Sequence, residues 1–500
     1  MGRKWIAILL ILFVFICDSI TVYANDPYIG YNYNVWNQSV PAPNAYLPEK
    51  IIRGEDFGIG RLNNPQDMFV DKNKDVYILD TGNNRIVILD SNLHFRKVIN
   101  RFISPSGEES LKEPQGICVS NDGLIYIADS GNGRVIAIDQ DGYIVKDIGK
   151  PVSDIITADF NYQPQKVLVD NKNILYVLAY GVFEGIITFD TSGNFLEFYG
   201  SNRVEVTLSL LNDLFWKRIL TKEQRESMAR FVPVEYSNFD SDSKDFMYTT
   251  TVNTADSLNE IKKLNPMGEN ILRHKKIAAN GNTLNNYDYG DLENYYFRAA
   301  KQDTSFVDIT IDDDNLISAL DAERGRIFQY DQESNLLCIF GGIGDSLGTF
   351  GKPRAIENIN GKILVLDAQK NNITIFRTTP YGEYLHEAVK LYGQGKYKEA
   401  LSSWNEVIKR NSNFELAYVG IGKALMKNEE YKNAMHYFEL GYDREGYDKA
   451  FNEYRKEFVR EHFSTLMLSG LCLILLIWLL LNRKRVFNIF NRKKRGEING

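Results

Sequence analysis

The sequence predicts a β-propeller of six four-stranded blades with an N-terminal strand closing the last blade, then an all-α repeat pair and a C-terminal transmembrane helix. Three observations support this prediction. A strand-rich pattern returns six times between residues 46 and 380, a helical pattern repeats after 34 residues, and 18 residues near the C-terminus carry no charge. Short-strand repeats leave each sheet with faces that only neighbouring copies can cover.

Composition excludes several classes of protein. With 44% hydrophobic and 25% charged residues in a chain of 500, the balance is that of ordinary globular domains, about three of them. Four cysteines exclude a disulfide framework, and Cys118 and Cys338 are expected to be buried thiols. The net charge of −7 combines positive termini with a body of about −14, which excludes general nucleic-acid binding.

The N-terminus predicts export. Residues 1–24 combine a basic start, an apolar run and a small-residue site at Ala24, as secretory signal peptides do. An uncleaved anchor is the alternative, because the apolar run is short for a membrane span. A lipoprotein site at Cys17 is disfavoured, since Ile16 stands where a small residue is required. Residues 25–45 are expected to form an N-terminal extension.

The six strand-rich copies define the propeller at residues 46–380. The first two align at a spacing of 49 residues, with Pro65 on Pro114 and Tyr77 on Tyr126. Each copy alternates β-branched or aromatic runs with Asn, Asp or Gly turns, which predicts antiparallel hairpins. The copies lie at residues 63–90, 112–139, 163–190, 234–251, 307–331 and 352–376.

The last copy lacks a fourth strand, because helical sequence follows Phe376. The segment before the first copy parallels the link before the sixth. Residues around Lys50 to Arg53 are therefore expected to supply the outer strand of the last blade, which removes two exposed sheet edges.

Two insertions interrupt the propeller. Residues 201–230 have apolar residues at helical spacing, and residues 277–304 are rich in Asn and Tyr and predict a long loop. Such insertions either carry recognition or pack onto the propeller.

The strand pattern resembles the NHL-repeat propellers, in which Pro begins one strand, Tyr and Asp occupy the next, and Asn-Arg begins the third. Pro65, Tyr77, Asp80, Asn84 and Arg85 match this unit, and the second copy matches equally well. The third copy departs from it, with Ala179 and Gly185 at the Asp and Arg positions, and the fourth diverges further. The resemblance implies the fold more strongly than any site.

Residues 381–463 resemble a pair of tetratricopeptide (TPR) repeats. Small residues recur at Ala400 and Ala434, and large aromatic residues at Trp404 and Phe438. Residues 451–463 are expected to form a capping helix. TPR repeats are interaction modules, so the resemblance implies a protein partner.

Residues 464–481 predict a transmembrane helix, and residues 482–500 a basic cytoplasmic tail. Together with an exported N-terminus, this predicts a single-pass cell-membrane protein with its acidic body outside.

Seven repeated polar residues are candidate ligand contacts at a mouth of the propeller channel. Asp residues end the second strand of four blades and Arg residues begin the third strand of three blades. The alternative role is structural, pairing within a blade and satisfying turn backbone. The seven are Asp80, Arg85, Asp129, Arg134, Asp321, Arg326 and Asp367.

No motif predicts a catalytic residue. Gly344 to Leu347 spells an esterase signature without the later Asp-x-x-His that such enzymes need. The Asp-rich segments 240–245 and 312–314 lack the Gly and Glu of an EF-hand and align with hairpin turns. The five histidines are scattered, so a histidine-built zinc site is not expected. Metal and cofactor are left open.

Two functions fit this sequence. The first is a membrane-anchored binding or scaffold protein whose propeller and TPR surfaces contact protein or glycan, with membrane-assembly, transport or cell-wall components as candidate partners. The second is a metal-dependent sugar-lactone hydrolase, because the propeller resembles the gluconolactonase and regucalcin group. Fold analogy alone supports the second.

Overall fold

The structure is a computed structural model. It describes residues 26–152, 161–182, 184–200, 236–251, 261–272, 278–279, 282–283, 289–292 and 304–484. Within these ranges the chain forms a six-bladed β-propeller followed by a helical region with one long apolar helix. The predicted signal peptide and the whole of insertion 201–230 lie outside the described residues. Most of insertion 277–304 and most of the basic tail also lie outside them.

Three strands precede the first blade. Strands β1 (Tyr31–Tyr33) and β2 (Ser39–Pro41) form a hairpin, and β3 (Tyr46–Arg53) joins the last blade.

The six blades follow in chain order, and a short hairpin joins the first two. The first blade contains β4 (Asp67–Val70), β5 (Val76–Asp80), β6 (Arg85–Leu89) and β7 (Phe95–Ile99), and the hairpin contains β8 (Phe102–Ser104) and β9 (Gly107–Glu109). The second contains β10 (Gly116–Val119), β11 (Ile125–Asp129), β12 (Arg134–Ile138) and β13 (Ile144–Ile148). The third contains β14 (Pro164–Val169), β15 (Leu175–Ala179), β16 (Ile186–Phe189) and β17 (Phe195–Tyr199).

The fourth blade has three strands within the described residues, β18 (Tyr236–Ser241), β19 (Met247–Thr251) and β20 (Ile261–Leu264). Beyond its edge the Ile271 N–H donates to the Lys263 carbonyl at 2.7 Å, which extends the sheet. Two short strands, β21 (Ala278–Ala279) and β22 (Asn282–Thr283), lie in the second insertion. The fifth blade contains β23 (Phe306–Ile311), β24 (Ile317–Asp321), β25 (Arg326–Tyr330) and β26 (Leu336–Gly341). The sixth contains β27 (Pro353–Ile359), β28 (Lys362–Asp367) and β29 (Asn372–Thr378).

Strand β3 closes the propeller. It runs antiparallel to β29, with Ile52 opposite Ile373 and Tyr46 opposite Thr378. The prediction that residues around Lys50 to Arg53 complete the last blade is confirmed, and the strand begins earlier, at Tyr46. Both edges that an open ring would expose are thereby paired.

The turn residues explain why the hairpins recur. At the turn after the first strand of the third blade, Asp170 Oδ1 accepts the N–H groups of Lys172 and Ile174 at 2.9 and 2.8 Å. Asp312 repeats this pattern in the fifth blade, with the N–H groups of Asp314 and Leu316. The Asp-rich segments contain hairpin turns that begin at Asp242 and Asp312, as the sequence indicated, whereas Asp240 lies in strand β18.

The core lies between blades. Met68 and Ile78 of the first blade pack with Leu364 and Ile375 of the last, and Ile52 of β3 joins them. Burying each such side chain contributes about 1.5–3 kcal/mol. The predicted thiols, Cys118 and Cys338, are buried, and burial raises the pKa of both.

The helical region begins directly after β29. Its helices are α1 (Pro380–Gly393), α2 (Tyr397–Arg410), α3 (Glu415–Lys427), α4 (Tyr431–Leu440), α5 (Arg444–Glu461) and α6 (Phe463–Leu481). Consecutive helices from α2 to α5 pack against one another. The chain divides into two compact units after His386.

Candidate ligand-binding channel

The first strands of the six blades form the wall of a central channel. Strands β4, β10, β14, β18, β23 and β27 each contact the next around the ring. Each begins with a β-bulge. In the first blade, for example, the Gln66 N–H donates to the Leu79 carbonyl while Asp67 is the residue that pairs with Leu79. Bulges at the rim of a ring redirect side chains, so these positions are candidates for function.

One residue per blade follows the bulge, and together these residues form an inner layer. The layer consists of Asp67, Gly116, Lys166, Asn238, Asp308 and Ala355. Its carboxylates hold neighbouring blades together. Asp67 Oδ2 accepts the N–H of Ile117 at 2.8 Å, and Asp308 Oδ2 accepts the N–H of Ile356 at 2.7 Å.

Lys166 is the cation of the inner layer. Its ammonium contacts Asp67 of the first blade and lies 3.8 Å from Asp308 of the fifth. The Lys166 side chain is 15% exposed. Burial alone would lower the pKa of Lys166, but Asp308 and Asp67 outweigh burial and raise it. The ammonium therefore stays charged.

Three carboxyl groups, those of Asp67, Asp308 and Glu357, act on this one ammonium, and the carboxyl group of Asp240 acts on Glu357. Burial raises the pKa of Asp308 to about 7 and that of Asp240 to about 6. Burial, followed by the charges of Asp240, Asp308 and Asp67, raises the pKa of Glu357 well above its usual range. The channel therefore has more acid than base and takes up protons near neutral pH.

The turns after the first strands surround one channel mouth, and polar contacts join them. Asn121 Nδ2 donates to Asn171 Oδ1 at 2.5 Å, and Asn171 Nδ2 donates to Asp245 Oδ1 at 2.7 Å. Lys74 forms an ion pair with Asp313 at 3.2 Å. The two amide bonds join turns of successive blades, whereas the ion pair joins the turns of the first and fifth blades. This mouth is therefore narrowed by protein side chains.

The bulge residues encircle the opposite mouth, and we call this set the rim. All six rim residues are half-buried, and one comes from each blade. They are Gln66, Gln115, Gln165, Ser237, Val307 and Arg354. The rim is polar except at Val307, and its one charged member is Arg354. The rim was not predicted from the sequence. The signal that could have identified it is the residue after the repeated Pro, which is Gln in three copies and Arg in the last.

The predicted Asp residues act within their own blades. Asp80, Asp129, Asp321 and Asp367 are each 0% exposed. Each accepts a backbone N–H from the segment entering its blade, from Asn63, Lys112, Ser305 and Gly351 at 2.6–2.8 Å. Their role as ligand contacts stays a prediction.

The predicted Arg residues differ between blades. Arg85 Nε donates to Asp80 at 2.6 Å and Arg134 Nε donates to Asp129 at 3.0 Å. Arg326 instead contacts Asp291 of the second insertion, and its guanidinium lies 5.0 Å from the centre of the Tyr31 ring. The fifth blade thus uses its Arg to hold the insertion and the N-terminal hairpin.

The resemblance to lactone hydrolases implies a divalent metal in the channel. The side chains of the inner layer do not form a suitable set of ligands for such a metal. Within the described ranges, no three His, Cys, Asp or Glu side chains converge as metal ligands. Asp67 and Asp308 each accept a backbone N–H and face the Lys166 ammonium. A protein ammonium thus lies among the carboxylates that a metal would need.

One family match agrees with this fold. The NHL repeat family matches residues 111–138, in the second blade, and no curated protein sequence matches this chain. The chain is similar to streptogramin B lyase, with 12% identity, 67% of this chain and 100% of that chain covered, and a TM-score of 0.37.

Two other solved structures are similar to a comparable degree. Virginiamycin B lyase from Staphylococcus aureus has 12% identity, with 63% of this chain and 95% of that chain covered and a TM-score of 0.35. The PQQ-bound aldose sugar dehydrogenase from Streptomyces coelicolor has 12% identity, with 68% and 99% covered and a TM-score of 0.37. Likeness at this level carries no argument about the activity of this chain.

Proposed function

We propose that this chain is a membrane-anchored extracytoplasmic binding protein, in which the propeller and a TPR-type helical pair contact partners and helix α6 holds both at the cell membrane. The observation that carries the proposal is the Lys166 ammonium in the channel, between Asp67 and Asp308. This ammonium occupies the position among the channel carboxylates that a catalytic metal would need. We therefore assign the function to binding surfaces rather than to a metal centre.

The helical packing supports a TPR-type pair. Helices α2 and α4 begin 34 residues apart, at Tyr397 and Tyr431. A Cβ at Gly420 would lie 2.3 Å from Trp404 Nε1, and one at Gly422 would lie 2.8 Å from the Phe438 ring. Glycine is required at both positions, because an aromatic ring of the preceding or following helix packs directly on the α3 backbone. Stacked helix pairs of this kind present extended binding surfaces.

Helix α6 supports membrane anchoring. It has 19 residues, long and apolar enough to cross a membrane, and none of its length is buried by the rest of the chain. At 1.5 Å per residue it spans about 28 Å, close to the thickness of a hydrocarbon core. The basic residues after Leu481 favour a cytoplasmic C-terminus.

The test is copurification from native membranes. Full-length protein is crosslinked, and captured proteins are identified by mass spectrometry. Trp404→Ala combined with Phe438→Ala loosens the helical packing, and Lys398→Gln combined with Lys432→Gln is the matched control on exposed positions of α2 and α4. We expect a reproducible partner that the first variant loses and the second retains.

One combination of results would contradict the binding proposal. If neither variant changes the captured set, and the purified protein hydrolyses sugar lactones in an EDTA-sensitive reaction, the binding proposal fails and the hydrolase hypothesis takes its place.

A further inference from the structure

The Arg354 guanidinium has no partner among the residues that the structure describes. In the part of the chain that the structure describes, its side chain makes no hydrogen bond or ion pair, and its Nε is buried without an acceptor. Burial lowers the pKa of Arg354, and no carboxylate offsets this effect. By contrast, a carboxylate pairs with the guanidinium of each of the repeated arginines Arg85, Arg134 and Arg326.

An unpaired, half-buried guanidinium destabilises the empty protein, because burying a charge costs free energy unless a counter-charge or acceptor compensates. Residues that lower the stability of the folded protein and have no structural role are concentrated at binding sites. The guanidinium is a planar fork that fits a carboxylate or phosphate with two parallel hydrogen bonds. Arg354 therefore points to an anionic ligand at the rim.

The charge of the channel favours a monoanion. Beyond the rim lie the carboxyl groups of Asp67, Asp308, Asp240 and Glu357, and Lys166 is the cation that acts on Asp67, Asp308 and Glu357. Those of the carboxyl groups that stay ionised repel a phosphate with two negative charges more strongly than a carboxylate with one. A carboxylate bound at Arg354 is the better match.

The other rim residues suggest what bears the carboxylate. Gln66 Nε2 donates to the Asn64 carbonyl at 3.1 Å, and Gln115 Nε2 donates to the Glu113 carbonyl at 3.3 Å. Their Oε1 atoms, and that of Gln165, accept no hydrogen bond from the described residues. Three side-chain amide oxygens are thus available to accept hydrogen bonds from hydroxyl groups.

We propose that the rim binds a carboxylate-bearing glycan, with Arg354 holding the carboxylate and Gln66, Gln115 and Gln165 accepting hydrogen bonds from sugar hydroxyls. This inference rests on the proposed binding function and names a ligand class for its propeller. A peptide is a poorer match, because Val307 is the one apolar rim residue and offers little surface for apolar side chains.

The experiment is a glycan array probed with labelled full-length protein in detergent, on which each uronic-acid glycan is paired with its neutral parent and with a phosphorylated analogue. We expect uronic-acid glycans to bind in preference to both counterparts. Arg354→Gln should weaken binding at least about tenfold, because a charge-assisted bidentate contact is lost. Arg354→Lys should recover part of it, since it keeps the charge but not the fork.

Arg377→Gln is the matched control, because Arg377 is exposed on β29 of the same blade. It should bind as the unaltered protein does. Thermal unfolding supplies a second readout: Arg354→Gln should have a Tm equal to or above that of the unaltered protein without glycan. A folding defect would lower it.

Three results would overturn the inference. They are equal binding of neutral and acidic glycans, preference for phosphorylated glycans, and unchanged glycan binding by Arg354→Gln. If no acidic glycan binds while membrane crosslinking still captures a protein partner, the ligand class is wrong and the binding function stands.

Discussion

Lys166 lies 3.8 Å from Asp308, although the two residues belong to blades that are not neighbours in the ring. Lys166 comes from the third blade and Asp308 from the fifth, and the contact crosses the channel. The same ammonium contacts Asp67 of the first blade. Lys166 of the third blade thereby joins the first and fifth blades through ion pairs that cross the channel.

Lys166→Met is expected to destabilise the propeller by about 3–5 kcal/mol, because it leaves buried carboxylates without their cation. Adding Asp67→Asn and Asp308→Asn should restore much of the loss. Urea unfolding followed by tryptophan fluorescence measures both effects. A loss below about 1 kcal/mol in the single variant would show that the ion pairs contribute little.

Stability should fall as pH rises through neutrality. The folded-state pKa of Asp308, about 7, lies above the unfolded value of about 3.9, so the folded state binds the proton more tightly. The resulting stabilisation is complete below about pH 4 and is lost through pH 7. Asp240, with a pKa of about 6, has the same sign. Asp291 and His386 have the opposite sign. Asp291 has a lowered pKa and titrates below this window, whereas burial lowers the pKa of His386 to about 4, so His386 adds stability as the pH rises from about 4 to its unfolded pKa of about 6.5 and not above it.

For Asp308 alone we expect a loss of about 2 kcal/mol between pH 5 and pH 8, at 1.36 kcal/mol per unit of pKa shift. Urea midpoints at four pH values check this expectation. Asp308→Asn should flatten the profile, whereas Asp313→Asn, on an exposed turn, should leave it unchanged. A profile that rises over this range contradicts the prediction.

Gly420→Ala should destabilise the helical region by about 1–3 kcal/mol, because its Cβ would lie 2.3 Å from Trp404 Nε1. Gly393→Ala at the end of α1 is the control, since its Cβ meets nothing within 4 Å. We expect the control to be neutral or slightly stabilising. Thermal melts at 222 nm distinguish the two, and equal melting temperatures would place Trp404 away from α3.

Ile52→Asp should open the ring. Ile52 is 6% exposed and packs with Ile373 and Ile375 of the last blade, so a carboxylate there loses apolar burial and is itself desolvated. We expect a loss of at least about 3 kcal/mol and faster proteolysis. Lys50→Asp, at an exposed position of the same strand, should behave as the unaltered protein. Similar proteolysis of the two variants would mean that β3 does not hold the ring.

Blade order and closure were predictable because their signals are local. Pro65 and Pro114 begin equivalent strands, and the alternation between apolar and polar residues recurs with the repeat. The strand at Lys50 to Arg53 followed from a missing fourth strand after Phe376. Each inference needed only spacing along the chain.

The channel was not predictable in this way. Lys166 is separated by about 100 residues or more from Asp67 and Asp308, and the position that the three occupy holds five different residue types among the six copies. Only the closed ring brings them together. Arg326 shows the same limit, since its partner Asp291 lies in an insertion outside the repeat. Periodicity identifies shared structure, whereas function depends on positions where the copies differ.

The pairing of Tyr46 with Thr378 has a consequence for folding during synthesis. Strand β3 has no partner until β29, the last strand of the propeller, has left the ribosome. Until then the apolar face at Ile52 has nothing to cover it, and exposed faces of this kind attract chaperones and proteases. A chain that stops before Asn372 lacks the partner of β3 and retains an open sheet edge.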